Sequence, residues 1–200
     1  MEVIKSLVVF VHLIACCVAL GLVLYLDMSL LLSRRRELSP KLLQDMQTLP
    51  ILVHHGLVAL WATGFATVAI GMQMKGLAYL DNPKLWVKVL VVTVLSINGW
   101  LLHRYALPMM VKSLRLSDLA RKQRLHLCWM AGISGASWMT AAYLGIARYM
   151  NGSLSFTSIL AVYLLVLLAS LALTLYFLVF DLEKRRQLAP HTKAITPQLF

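Results

Sequence analysis

Charge is scarce in this chain, and negative charge scarcer still. Charged residues make up 14% of its 200 positions, hydrophobic ones 60%, and eight acidic residues face nineteen Lys and Arg. Soluble domains run nearer 25% charged and 45–50% apolar, so this composition excludes an ordinary water-soluble domain. Cysteine is almost missing too. Cys16, Cys17 and Cys128 all sit in apolar segments and form no Cys-x-x-Cys, which excludes a disulfide scaffold. The chain also lacks a P-loop, a Gly-x-Ser-x-Gly elbow, a His-Glu-x-x-His pair and a dinucleotide fingerprint. The signatures of nucleotide binding and nucleophilic hydrolysis are therefore absent, and no catalytic residue is identified. Residues 1–32 have no basic leader or small-residue cleavage site ahead of an overlong apolar run, so no cleavable signal is expected.

What the chain has is long apolar runs. Five reach the length of a membrane helix: about 6–32, 51–73, 84–107, 127–149 and 156–180. The net charge of +11 is carried by basic residues between these runs, the pattern of membrane loops rather than of a nucleic-acid surface. Lys5 alone precedes the first run. Arg34, Arg35, Arg36 and Lys41 follow it, and only Lys75 and Lys84 lie before the third run. Arg104, Lys112, Arg115, Arg121, Lys122 and Arg124 come next, then Arg148 alone, and then Lys184, Arg185, Arg186 and Lys193. Lys and Arg stay on the cytoplasmic side, so this alternation predicts an N-terminus outside and a C-terminus inside. The expected fold is all-α: one integral membrane bundle of five transmembrane helices over 1–186, with a cytoplasmic tail over 187–200.

Local signals agree. In "SPKLLQDM", Ser39 caps and Pro40 opens a short interfacial helix; in "DNPKLW", Asn82 and Pro83 open the third span. "NGSLS" breaks the chain before the fifth. The fourth span spaces Ser137, Ala141 and Gly145 at four-residue intervals, with Ala131 and Gly135 on a second row, a pattern that lets helices pack closely in lipid.

Topology converts position into depth, at about 1.5 Å per helical residue. His54 and His55 enter from the cytoplasmic face and His103 approaches it, so these imidazoles share a level. His12 and Lys88 share an outer level. Lys88 and His103 lie about 60° apart around the third helix, with Gly99 on the same side. Gly99 precedes His103 by one turn and Gly56 follows His55, leaving room beside the imidazoles for a flat macrocycle. Neutral imidazole suits iron, zinc and copper, and haem is commonly held by axial histidine. His54 and His55 point about 100° apart, so one of them at most serves a given centre. Two readings stand for Lys88: a headgroup contact beside Lys84, or a partner inside the bundle. His103 likewise either snorkels to the surface with Arg104 or acts as a ligand. His126 and His191 read as interfacial anchors.

Taken together, "VVFVHLIACCVALGLVLYLDMSLLLSRR" and "WVKVLVVTVLSINGWLLHR" resemble the copper resistance protein D superfamily, which includes the membrane-embedded, haem-biosynthetic protoporphyrinogen oxidase. The resemblance covers about residues 8–105 and implies functional roles for His12, Lys88 and His103. "YLDMSL" stands where the oxidase branch has a "YLPRL"-like segment, and five spans stand where that branch has four. What the resemblance implies is therefore a small haem- or copper-associated protein of the bacterial inner membrane.

Three functions follow as expectations. In the first, His103 with His54 or His55 holds haem b, His12 and Lys88 serve a second centre or its propionates, and the protein transfers electrons or oxidises a lipid-soluble quinone or porphyrinogen. In the second, Met72, Met74 and Met150 form an outer copper entry leading to His12 and Cys16, since thioether and thiol groups favour Cu(I). In the third, the buried polar groups only set helix register in a structural or assembly subunit. A homo-oligomer or a partner membrane protein is compatible with all three.

Overall fold

The computed structural model describes residues 1–34, 36–113, 115–150 and 152–180, and among these every regular element is helical. The six α-helices are α1 (Glu2–Ser33), α2 (Pro40–Lys75), α3 (Pro83–Leu101), α4 (Leu107–Ser113), α5 (Arg121–Ile146) and α6 (Phe156–Leu175). The boundary expected at 186, the tail over 187–200, and the basic residues at 184–186 and 193 lie outside the described residues.

Helix starts follow the predicted capping chemistry. Ser39 Oγ accepts from the Leu42 N–H at 3.2 Å ahead of Pro40. Asn82 Oδ1 accepts from the Lys84 N–H at 3.1 Å ahead of Pro83. Each cap satisfies a donor that the first helical turn leaves open. Ser155 does the same for Ser158 at the start of α6. The expected interfacial helix is not separate: α2 runs unbroken for 36 residues through Pro50 into the second span. It stops at Gly76, whose φ of 66° suits a residue without Cβ.

Four helical stretches are long and apolar enough to cross a membrane: Glu2–Ser33, Pro40–Asp81, Pro83–Ser113 and Phe156–Phe180. The third includes a π-helical turn at Leu102–Ala106. That turn stands immediately before Leu107 and Pro108. Proline offers no N–H and crowds the carbonyl four residues back, so a widened turn accommodates it. A second π turn, Tyr176–Phe180, extends α6.

The expected span 127–149 corresponds to α5, which is the interior helix rather than one of the four most apolar ones. It lies against both α3 and α6, while α1 lies along α2. Gly132, Ala136, Ser137 and Trp138 are buried in it. Small residues let neighbours approach: a Cβ at Gly132 would stand 2.6 Å from Leu171 Cδ2 and 3.2 Å from Leu171 Cα. Polar side chains then lace the contact. Ser170 Oγ donates to the Gly132 carbonyl at 2.9 Å, Thr174 Oγ1 to the Cys128 carbonyl at 3.2 Å, and Asn98 Nδ2 to the Met130 carbonyl at 2.9 Å. Ser137 and Tyr163 hydroxyls pair at 3.0 Å. In a membrane each such bond is worth about 0.6 kcal/mol, so together they matter to register as much as to stability.

A further apolar cluster, Leu38, Leu42, Met46, Met110, Leu116 and Leu119, joins the α1–α2 connection to the segment after α4. Arg115 and Glu37 form an ion pair on its surface. The Glu37 carboxylate accepts that hydrogen bond and raises the Arg115 pKa above its ordinary value.

Candidate functional site

Two lysines one turn apart on α3 are treated differently by the fold. Lys84 is buried, and its Nζ donates to the Ala147 carbonyl at 2.6 Å. Ala147 terminates α5, so this ammonium satisfies an open carbonyl at the negative end of a helix dipole. Lys88 is half-buried, and among the described residues no hydrogen bond or ion pair reaches it. Its charge acts on the His12 imidazole and the Cys16 thiol of α1, and it is repelled by Lys84. No carboxylate is among these neighbours. A cation so placed within an apolar helix costs a few kcal/mol unless something compensates it.

His12 faces the same region from α1. Its Nδ1 lies 2.7 Å from Thr63 Oγ1, and Thr63 Oγ1 lies 2.6 Å from the Ala59 carbonyl one turn back on α2. The threonine has one hydroxyl proton, and both the Ala59 carbonyl and the His12 ring nitrogen can accept it. In the tautomer where it goes to Ala59, Thr63 accepts from His12 and the ring proton sits on Nδ1. His12 Nε2 is then an unprotonated sp² nitrogen, with no hydrogen bond reaching it among the described residues. A ring nitrogen oriented by its opposite N–H is the usual arrangement of a metal-bound imidazole. Gly64 lies against the ring: a Cβ placed there would meet His12 Cε1 at an ordinary contact distance of 3.9 Å. Trp61, one turn before Phe65 and stacked on it, donates to Ser96 Oγ at 3.0 Å and ties α2 to α3 beside this layer.

An imidazole, a thiol and an ammonium thus meet electrostatically between α1 and α3.

His12 and Lys88, expected to share a level, lie within electrostatic reach of each other, as do Cys16 and Lys88. The other three expected site residues are arranged differently. His54, His55 and His103 are all exposed. His54 and His55 rings pack edge to face at 6.1 Å, and His55 Nδ1 donates to the Ile51 carbonyl at 2.7 Å. Among the described residues, no hydrogen bond or ring contact joins His103 to either. Of the two glycines expected to make room, Gly99 has open space beside it. Gly56 does not: a Cβ there would meet Ala19 Cβ at 3.0 Å, so Gly56 serves the α1–α2 contact.

Among the described residues, no group of three or more His, Cys, Asp and Glu is arranged to hold a metal ion. Met150 lies buried in the α3–α5–α6 core with Val87 and Val91, as an apolar filler. His126 Nδ1 donates to the Lys122 carbonyl at 2.8 Å on an exposed face. Thr63 and Asn98 carry the most specific bonds in the spans, yet sequence analysis assigned neither a role. Thr63 stands among small and apolar residues with no charged neighbour, and only its level opposite His12 could have flagged it. Comparison with known proteins finds no matching family, no matching characterised protein and no matching solved structure.

Proposed function

We propose that this chain is a multi-pass protein of the bacterial inner membrane that holds haem b. It transfers electrons, or oxidises a membrane-dissolved substrate such as a quinone or porphyrinogen. What supports this reading is the His12–Thr63–Ala59 contact, which in the Nδ1-protonated tautomer leaves Nε2 open, within electrostatic reach of the Lys88 ammonium. A bare imidazole nitrogen is a ligand for iron, and an ammonium in hydrocarbon calls for an anion. The propionates of haem supply two.

The reading includes five crossings, with α5 as the fourth. Its 26 residues span about 39 Å, enough for the hydrocarbon core. The N-terminus is then outside and the C-terminus cytoplasmic, as the Lys and Arg distribution favours. The resemblance to the copper resistance protein D superfamily rests on His12, the Trp86-x-Lys88 segment and His103, two of which belong to this layer. With Met150 in the core, the outer methionine entry lacks one of its three members, which supports haem over copper.

The test is a haem titration of the detergent-purified full chain. A Soret band that saturates at a fixed stoichiometry and an α-band that appears on reduction support the reading. A preparation that stays colourless with haem supplied during expression overturns it.

A further inference from the structure

Asn98 is 4% exposed, within α3. An amide has two N–H groups and an acceptor oxygen. One Asn98 N–H goes to the Met130 carbonyl at 2.9 Å. The second N–H and Oδ1 carry no bond among the described residues. An amide left half-satisfied in an apolar interior costs about 1–3 kcal/mol relative to one that finds a partner.

The same residue lines a cavity of about 160 Å³ between α3 and α5, whose other walls are Val94, Ile97, Leu101 and Ile133. Ile97 is 56% exposed, so the notch opens sideways toward lipid. A cavity of about 150 Å³ lined by aliphatic and aromatic side chains takes one benzene ring. This notch therefore has room for a single six-membered ring and excludes a porphyrin. A larger cavity of about 260 Å³ runs along α5 and α6 between Cys128 and Leu175. Cys128 and Trp129 line it together with aliphatic side chains, and the Cys128 thiol is turned to the Thr174 carbonyl at 3.5 Å. Both cavities are almost wholly apolar; the smaller one has a side-chain amide with unused hydrogen-bonding groups in its wall.

We infer that the Asn98 notch is a binding site for the headgroup of a lipid-soluble monocyclic quinol or quinone. The ring packs against Val94, Leu101 and Ile133, and a ring hydroxyl donates to Asn98 Oδ1. In the oxidised form, the spare Asn98 N–H donates to a ring carbonyl. An isoprenoid or alkyl tail leaves past Ile97 into lipid. The site is independent of haem at His12 and stands or falls separately.

The test measures binding to the full-length chain in detergent by calorimetry, under anaerobic conditions, with decylhydroquinone, whose ring bears no other substituent, and with its dimethyl ether. The ether keeps the ring and tail but has no hydroxyl to donate. One quinol should bind per chain, and the ether about tenfold more weakly or worse. Ile133→Trp fills the slot while leaving the Asn98–Met130 bond intact, and should abolish quinol binding. Asn98→Leu should make quinol and ether bind alike. Should Asn98→Leu not fold, Ile133→Trp still decides the matter. Equal binding of quinol and ether to the wild-type chain overturns the inference. So does unchanged binding in Ile133→Trp, or loss of binding in His12→Ala and Lys88→Met while Ile133→Trp binds normally. A chain that binds quinol in the notch but takes up no haem sinks the haem reading alone.

Discussion

The Nδ1 of His12 and the hydroxyl of Thr63 lie 2.7 Å apart across the α1–α2 interface, 51 positions apart in sequence. With the Thr63 proton on the Ala59 carbonyl, the imidazole donates from Nδ1 and Nε2 is left open. Thr63→Val keeps the shape of the side chain and removes the acceptor. The haem-loaded variant should retain a Soret band but bind haem about 10–100-fold more weakly, the usual effect of losing a group that orients a ligand. Titration at the Soret maximum measures it.

Lys84 and Lys88 should respond in opposite directions to the same substitution. Lys84→Met removes a charge-assisted bond to the Ala147 carbonyl and should destabilise the apoprotein by about 1.5–3 kcal/mol. Lys88→Met removes a charge with no compensation and should leave apoprotein stability unchanged or raised. Haem affinity should fall in Lys88→Met and persist in Lys84→Met wherever that variant folds. Thermal unfolding in detergent, with and without haem, separates the two effects.

Close packing at Gly132 should be equally specific. A methyl group there meets Leu171, including its backbone, so Gly132→Ala should cost about 1–3 kcal/mol. Gly99 and Gly145 have nothing within 4 Å of an added Cβ. Gly145→Ala should therefore stay within about 1 kcal/mol of the parent chain, since alanine also favours helix. Comparing melting temperatures of the two variants checks the contrast.

Orientation is testable without any cofactor. In a chain with Cys16, Cys17 and Cys128 replaced by Ala, Ser153→Cys should react with a membrane-impermeant thiol reagent from the outside of intact cells. Asp118→Cys should react only after the membrane is opened. The reverse pattern, or labelling of both from one side, contradicts five crossings with the C-terminus inside.

Much of the fold was legible because membrane helices announce themselves locally. Ser39–Pro40 and Asn82–Pro83 mark starts whose caps form as expected, and long apolar runs set the spans. Pro50 was less legible: a proline removes one N–H without forcing a break, so a predicted interfacial helix and the second span are one α2. Depth arithmetic brought His12 to the level of Lys88, since antiparallel helices of known rise leave little freedom along the membrane normal. Rotation about each helix was not legible. Apolar surfaces facing lipid and facing protein have the same composition, so the exposure of His54, His55 and His103 could not be read from their neighbours. The same limit hid the partners of Asn98, Ser170 and Thr174, which bond to α5 carbonyls that every sequence possesses alike.

The central claim is that the open nitrogen of His12 holds haem iron, and exchange of that nitrogen tests it most directly. His12→Gly, purified with haem supplied, should lose the Soret and reduced α-band of the parent chain, and free imidazole should restore both. A His12→Gly protein whose oxidised and reduced spectra match the parent, with no response to imidazole, contradicts the account.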